Sequence, residues 1–242
     1  MSQKYPGGFI TKSPVAPTSS AASGMWTLDQ AMQLKKQGLW PPTLPAIGSA
    51  FGGGFFAGQI STAGNGIADY NLVVGPVASA ESSSKIWKNA STITAGADSE
   101  INGPQNTADI VADGSSTVYP AGHFCNDLVI GGFSDWYLPA QNELEVCYYN
   151  LKPTTTVNNT SSGINANAVP ARASNYTSGT PAQTSATDFK DTGAEDFAGN
   201  AYWTSTENFF STAVLQTFYD GRKYSGTKTV SYRVRAIRRV AV

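Results

Sequence analysis

The chain has one histidine, His123, and two cysteines, Cys125 and Cys147, so few residues could serve nucleophilic catalysis or zinc binding. Cys125 falls on the apolar face of a predicted helix, which is a poor position for a nucleophile paired with His123. The histidine lacks an accompanying Gly-x-Ser-x-Gly elbow, and the cysteine spacing matches no zinc motif. We expect a structural histidine and buried thiols, while a disulfide stays open because it requires the two segments to pack together.

Paired carboxylates would indicate glycoside hydrolysis, which needs two of them about 5–10 Å apart. The candidates are Glu143, Glu145, Asp188, Asp191, Glu195, Asp196, Glu207 and Asp220. Glu143 and Glu145 are two residues apart in a predicted helix and therefore diverge. We expect Glu143 to cap its helix or bond the sheet, and Glu207 to hold loop amides. We predict no enzymatic activity, no cofactor and no metal site.

Aromatic, amide and basic side chains near the carboxyl terminus suit adaptable binding better than catalysis. They follow a strand at residues 202–207 and surround a predicted turn at Asp220-Gly221. The predicted ligand contacts are Asn208, Phe209, Phe210, Gln216, Phe218, Tyr219, Arg222, Lys223, Tyr224 and Lys228. Two interpretations of the aromatic residues beside turns stay open: metal-free stacking on a sugar ring, or packing between subunits.

Strands and helices must position these side chains. Residues 51–60 and 70–75 are predicted strands, and residues 153–200 are a long polar insertion of the kind that carries function or disorder. Apolar spacing of i, i+3, i+4 and i+7 predicts helices over residues 121–128 and 144–151. Residues 78–117 are rich in Ser, Gly and Asn. Three tryptophans are expected in the core: Trp87, Trp136 and Trp203.

The composition indicates a loop-rich β protein rather than a helical bundle or a disordered chain, since 242 residues include 24 Gly, 13 Pro and only 14% charged residues. The net charge of −1 gives no general attraction to nucleic acid or anionic membrane. Seven of the sixteen Lys and Arg residues follow Asp220, and we expect them to bind carboxylates or carbonyls, with a ligand as the alternative. We find no apolar run of about 20 residues and no signal peptide, so we expect folding in a cytoplasm.

Residues 1–45 differ from the rest and are predicted to form an extended arm with one short helix. Its apolar contacts are Trp26, Leu28, Met32 and Trp40. A unit of this size cannot bury two tryptophans alone. It therefore either folds onto the main domain or docks onto another chain in an assembly, and we favour docking. Residues 46–242 are predicted to form a separate domain.

Three motifs in a fixed order carry a family resemblance: residues 131–144 (GGFSDWYLPAQNEL), 202–207 (YWTSTE) and 232–238 (YRVRAIR). With residues 106–110, they resemble the Lcl C-terminal-like domain family over about residues 50–242. The resemblance implies an α+β, C-type-lectin-like fold, in which two helices pack on a small antiparallel sheet below long loops. Calcium-dependent lectins use Glu-Pro-Asn, Gln-Pro-Asp and Trp-Asn-Asp strings, which this sequence lacks, so we expect no calcium in a sugar site.

Relatives of this kind include surface proteins and phage tail proteins, and the arm resembles a virion-attachment segment. The resemblance therefore implies a phage virion protein, a tail-fibre or tail-tip receptor-binding protein assembled in the host cytoplasm. We expect a homo-oligomer, with a trimer favoured, that contacts other virion proteins through the arm and binds a host surface glycan or protein. The rival interpretation is a capsid, neck or fibre decoration or adaptor protein with a purely structural lectin-like domain. We expect neither nucleic acid nor membrane insertion.

Overall fold

Ten strands in two sheets dominate the structure, a computed structural model that describes residues 44–242. The first sheet contains β1 (Ala50–Phe51), β2 (Gly54–Ile60), β3 (Tyr70–Val74), β5 (Ala168–Val169) and β10 (Ile237–Ala241). Its order is β1-β2-β3-β10, and β5 pairs with β2. All of these pairs are antiparallel. The strand predicted at residues 70–75 is therefore confirmed. The one predicted at residues 51–60 is instead a tight hairpin, in which a turn at Gly52-Gly53 separates β1 from β2.

The second sheet carries the carboxyl-terminal hairpin. It contains β4 (Glu81–Ile86), β6 (Ala201–Phe209), β7 (Thr212–Thr217), β8 (Lys223–Thr227) and β9 (Ser231–Arg235). The order is β4-β9-β6-β7-β8, and the neighbours are antiparallel except for the parallel pair β6–β9. The turn predicted at Asp220-Gly221 joins β7 to β8, and Gly221 adopts a φ of 77°, a conformation that favours glycine.

Four α-helices lie within the described residues: α1 (Val77–Ala80), α2 (Gly103–Asp113), α3 (Pro120–Asn126) and α4 (Gln141–Leu151). Helices α3 and α4 confirm the two predicted from apolar spacing. Helix α2 and strand β4 were not predicted from the sequence, because both are rich in polar residues and lack a clear apolar periodicity. Asn102 caps α2 by accepting a hydrogen bond from the Gln105 amide, and β4 exists through its pairing with β9.

Two hydrophobic clusters form the core. One surrounds α4 and contains Cys147, and the other contains Cys125 together with Trp87, Trp136 and Trp203. All three tryptophans are buried, as predicted. Both cysteines are buried free thiols, and burial raises the pKa of each. The fold is thus α+β as expected, with two five-stranded sheets and four helices where we expected one small sheet and two helices.

Arginines near the carboxyl terminus bind carboxylates and carbonyls, as expected. The buried Arg235 donates to the Gly75 carbonyl at 2.8 Å and forms ion pairs with Glu81 at 3.1 Å and Glu195 at 3.0 Å. Two more ion pairs follow in β10: Arg238 with Asp135 and Arg239 with Glu143. These contacts fix the passage of the chain from the second sheet to the first.

Residues Ala46–Val242 form one compact unit. The arm residues Trp26, Leu28, Met32 and Trp40, with the short helix predicted around them, lie outside the described residues. Within residues 44–242, every helix is too short or too polar to cross a membrane.

Candidate functional site

The predicted ligand residues lie on the consecutive strands β6, β7 and β8 or in the turns that follow them, and they fall at the two opposite ends of β7. The β6–β7 turn lies at one end of β7 and the β7–β8 turn lies at the other. A strand of six residues is about 20 Å long, so the two turns are well separated. One small ligand cannot contact both, and the two ends have to be considered as separate sites.

A concave surface of about 480 Å³ lies on the second sheet, toward the β7–β8 end, and we call it the tyrosine pocket. It is lined by Ser83, Gly199, Asn200, Ala201, Thr217, Tyr224, Ser231, Tyr232 and Arg233. Its volume falls in the range of about 300–1,000 Å³ that is typical of small-ligand sites. The lining comes from all five strands of the second sheet and from the residues just before β6, so the pocket depends on the assembled sheet.

Packing against Trp203 holds the two tyrosines in place. Tyr232 meets the Trp203 ring edge-on with centroids 5.0 Å apart, and the Trp203 indole N–H donates to the Lys85 carbonyl at 2.9 Å. Tyr224 lies opposite Leu215 in the β7–β8 pair and therefore shares its face of the sheet. A Cβ at Gly226 would lie 2.4 Å from Leu215, so this position requires glycine. The rings are pre-organised by the core beneath them.

The polar groups of the pocket are uncharged or neutralised. The Arg233 guanidinium forms an ion pair with Glu81 at 2.8 Å, and its Nε donates to the side-chain Oδ1 of Asn200 at 3.3 Å. The hydroxyls of Tyr224 and Tyr232 form no hydrogen bond with any of residues 44–242. Burial raises the pKa of Tyr224, so its phenol stays protonated at neutral pH and can both donate and accept a hydrogen bond.

Predicted residues also occur at the rim of this pocket. Arg222 places its guanidinium carbon 5.3 Å from the centroid of the Tyr224 ring. Tyr219 is 55% exposed and approaches Gly199, one of the lining residues. Lys223 lies opposite Gln216 and so points away from the face that carries Tyr224. Tyr219, Arg222 and Tyr224 are therefore the predicted contacts that the pocket brings together.

The opposite end of the hairpin forms what we call the aromatic tip, made of Phe209 and Phe210. Phe209 is 59% exposed and Phe210 45%, and their ring centroids are 4.5 Å apart. Asn208, at the base of the tip, is engaged by hydrogen bonds within the hairpin. The tip therefore offers an apolar surface rather than hydrogen-bonding groups.

Three of the predicted ligand contacts are wrong, because their side chains are buried. Phe218 stacks on Phe197 at a centroid distance of 3.9 Å, inside the core. Gln216 donates to the Gly221 carbonyl at 2.7 Å and holds the turn. Lys228 forms an ion pair with Glu207 and donates to the Phe210 carbonyl at 3.1 Å. Proximity to a turn in the sequence does not reveal which side of the hairpin a residue faces.

The carboxylates singled out in the sequence have structural roles. Glu143 accepts the Ala140 amide at 2.8 Å at the start of α4, which confirms the expected cap, and it also pairs with Arg239. Desolvation raises the pKa of Glu143, and Arg239 opposes that shift. Glu207 accepts the Thr94 amide at 2.8 Å, again as expected.

His123 lies on α3, outside the pocket lining. The Nε2 atom of His123 lies 2.7 Å from the Gly114 carbonyl, which ties α3 to the end of α2, in keeping with a structural role. Within residues 44–242, side chains of His, Cys, Asp and Glu form no cluster of three suited to a metal ion.

The sequence analysis missed several pocket residues. They are Ser83, Asn200, Ser231, Tyr232 and Arg233. Alternation along β9 gave a usable signal for Tyr232, since it puts this ring on the same face as the buried Val234. Ser83 and Asn200 offered none, because they reach the pocket only through the pairing of strands that are distant in the sequence.

A model of the Lcl C-terminal domain family matches residues 80–238, more than half of the chain. This match covers the three motifs and confirms the resemblance. Curated proteins provide no match. Among solved structures, a fimbrial protein from Bacteroides ovatus ATCC 8483 is similar at 15% identity with a TM-score of 0.37, over 69% of this chain and 35% of that one. The chain thus spans about a third of the fimbrial protein's length, and a likeness this low carries no argument about fold or function. The chain belongs to the Lcl C-terminal domain family.

Proposed function

We propose that the protein is a phage virion component, a tail-fibre or tail-tip receptor-binding protein, which binds a host surface saccharide or protein reversibly and without catalysis. Residues 46–242 are the recognition unit, with a C-type-lectin-like architecture, and residues 1–45 attach it to other virion proteins. Individual contacts are weak, and a trimer on a particle that carries many copies supplies avidity.

The tyrosine pocket is the observation that carries this proposal. Tyr224 and Tyr232 present aromatic rings, and phenol hydroxyls without a partner among residues 44–242, on a sheet that is stiffened by Trp203. Aromatic rings with adjacent hydroxyl groups complement the apolar face and the hydroxyl groups of a sugar. Because the rings are already fixed by packing, binding loses little side-chain entropy.

The test is binding of the full-length protein to a glycan array and to a panel of bacterial cells. We expect the wild type to bind at least one glycan or one cell type, and the Tyr224→Ala/Tyr232→Phe variant to bind it more weakly. Circular dichroism of the variant establishes that it is folded. If folded wild-type protein binds neither glycans nor any cell surface, the proposal is wrong.

A second candidate is the decoration or adaptor protein, and the aromatic tip favours it. Exposed apolar side chains that cluster on a soluble domain commonly mark contacts with other proteins. In this function Phe209 and Phe210 are covered by neighbouring virion subunits. Electron microscopy of the particle distinguishes the two functions, because a receptor-binding protein keeps its pocket open to solvent while an adaptor covers both ends.

A further inference from the structure

We propose that the tyrosine pocket selects neutral pyranose sugars over anionic ones. This inference rests on the proposed function and specifies the ligand class of the same site. Three features of the pocket support it: the charge of the lining, the neutral hydrogen-bonding groups in it, and the positions of the cations outside it.

Arg233, the one cation among the lining residues that the structure describes, already has a partner. Arg233 pairs with Glu81 at 2.8 Å, and Glu81 is shared with the buried Arg235 at 3.1 Å. The Glu81 side chain is only 7% exposed, so its charge is held close to both guanidinium groups. A carboxylate or sulfate ligand would have to approach Arg233 against the repulsion of Glu81. The lining therefore offers an anion little net attraction.

The free polar groups of the pocket are neutral and suit sugar hydroxyls. The hydroxyls of Ser83, Ser231, Tyr224 and Tyr232 have no partner among residues 44–242, and each can donate and accept a hydrogen bond. The Asn200 side-chain Oδ1 accepts from Arg233, while its side-chain nitrogen has no acceptor among residues 44–242 and can donate to a ligand. A sugar hydroxyl also donates and accepts, so several of these groups can be satisfied at once.

Two cations close to lining residues, Lys85 and Arg222, lie outside the lining and have no carboxylate partner among the described residues. Lys85 lies opposite Tyr232 in the β4–β9 pair, and its ammonium group rests over an aromatic ring of α3, 5.3 Å from the ring centroid. Arg222 rests beside the Tyr224 ring at 5.3 Å, at the rim. Asp220 belongs to the same turn, where its carboxylate accepts the Arg222 amide at 3.0 Å, so the turn carries one charge of each sign. Charge at the rim therefore does not convert the pocket into an anion site.

The experiment is a titration of the full-length protein with defined tetrasaccharides. The neutral probes are galactose, glucose and mannose oligomers, and the charged probes are oligogalacturonate and a sialylated tetrasaccharide. We expect a neutral probe to bind, with an affinity that changes less than about twofold between 50 and 500 mM NaCl because no ion pair forms. We expect Tyr232→Phe and Asn200→Ala each to weaken binding by about 2–10-fold, the effect of one neutral hydrogen bond.

Two variants discriminate between neutral and anionic recognition. We expect Arg222→Gln to change the affinity no more than Lys190→Gln, a matched loss of charge in the insertion. The inference is overturned if a charged probe binds more tightly, weakens at 500 mM NaCl and is lost in Arg222→Gln. It is also overturned if folded protein binds none of the probes. The proposed function survives both results when binding to cells still depends on Tyr232, and fails when cells do not bind.

Discussion

The two ends of the β6–β7–β8 region are built in opposite ways. The tyrosine pocket exposes hydroxyl and amide groups above an apolar base, whereas the aromatic tip exposes apolar rings above a charged base. At the same end of the sheet as the pocket, in the core cluster around α4, Phe218 packs against Phe197 at 3.9 Å, Tyr202 at 5.1 Å and Tyr148 at 5.6 Å. Its amide also donates to the Asn200 carbonyl at 2.9 Å, which links the core to the pocket lining.

Under the tip, a buried ion pair replaces the aromatic cluster. Lys228 pairs with Glu207 and donates to the carbonyls of Thr92 and Phe210 at 2.9 and 3.1 Å. Glu207 in turn accepts the Thr94 amide. The pair thereby ties three loops together. The end that carries the pocket is therefore held by apolar packing, whose strength does not change with pH. The tip is held by charged groups, whose interactions weaken when a carboxylate is protonated.

The largest loss of stability should come from the aromatic cluster around Phe218. Phe218→Ala removes a fully buried ring, and we expect it to lower the free energy of unfolding by about 3–5 kcal/mol. Its neighbour provides the control: Tyr219→Ala truncates an exposed ring and should cost less than about 0.5 kcal/mol. Urea denaturation measures both. Equal losses would mean that the cluster around Phe218 does not hold this end of the hairpin.

Breaking the ion pair under the tip should follow in size. Lys228→Met leaves the Glu207 carboxylate buried without its cation, and we expect a loss of about 3 kcal/mol in the free energy of unfolding. The double variant Lys228→Met/Glu207→Leu removes both charges and should recover part of that loss. Lys223→Met is the control at a lysine of the same hairpin without an ion pair among residues 44–242. A double variant less stable than Lys228→Met would contradict this account.

Acid should weaken the loop of residues 92–94, which Lys228 ties to the tip, through Asp113. Asp113 pairs with Lys88 at 3.4 Å, and Lys88 donates to the Ile93 carbonyl of that loop at 3.0 Å. The hydrogen bond from Tyr119, and then the nearby Lys88, hold the pKa of Asp113 below its ordinary value of 3.8. A carboxylate with a lowered folded-state pKa stabilises the fold above its unfolded pKa, and this stability is lost as pH falls through the folded pKa. Between pH 5 and pH 2, we therefore expect wild-type protein to lose more stability than Asp113→Asn.

Thermal melting at each pH measures this difference, with Asp191→Asn as a control at an exposed carboxylate of the insertion. Hydrogen exchange of backbone amides shows which region loses stability first. Protection of the Thr94 amide should fall in acid before protection of the Phe218 amide. Parallel behaviour of Asp113→Asn and wild type would show that Asp113 does not support the loop of residues 92–94.

The smallest effect on stability should come from the tip surface itself. Phe209→Ser/Phe210→Ser changes two exposed rings, and we expect less than about 0.5 kcal/mol in the free energy of unfolding. The same variant should leave binding at the pocket intact, because the two ends are about 20 Å apart. Analytical ultracentrifugation then reports whether these rings associate copies of the chain. Loss of pocket binding in this variant would mean that the ends are coupled.

Local patterns in the sequence were sufficient for several features. The apolar spacing around Cys125 and Cys147 predicted α3 and α4, since a helix of 3.6 residues per turn brings such positions to one face. The Asp220-Gly221 pair predicted a turn for a similarly local reason. Glu143 was read correctly as a cap because its partner, Ala140, is three residues away. The motif order also identified the family.

Only the tertiary structure decided which residues of the hairpin are accessible and which of them meet. Phe218 and Tyr219 are adjacent and chemically similar, yet one is buried and the other exposed. Tyr232 and Ser83 join the pocket because β4 pairs with β9 across some 150 residues of intervening chain, a long-range choice made by packing and strand register. The sequence by itself determined an aromatic, turn-rich α+β domain of a known family. Long-range pairing determined that its polar and apolar surfaces lie at opposite ends of one sheet.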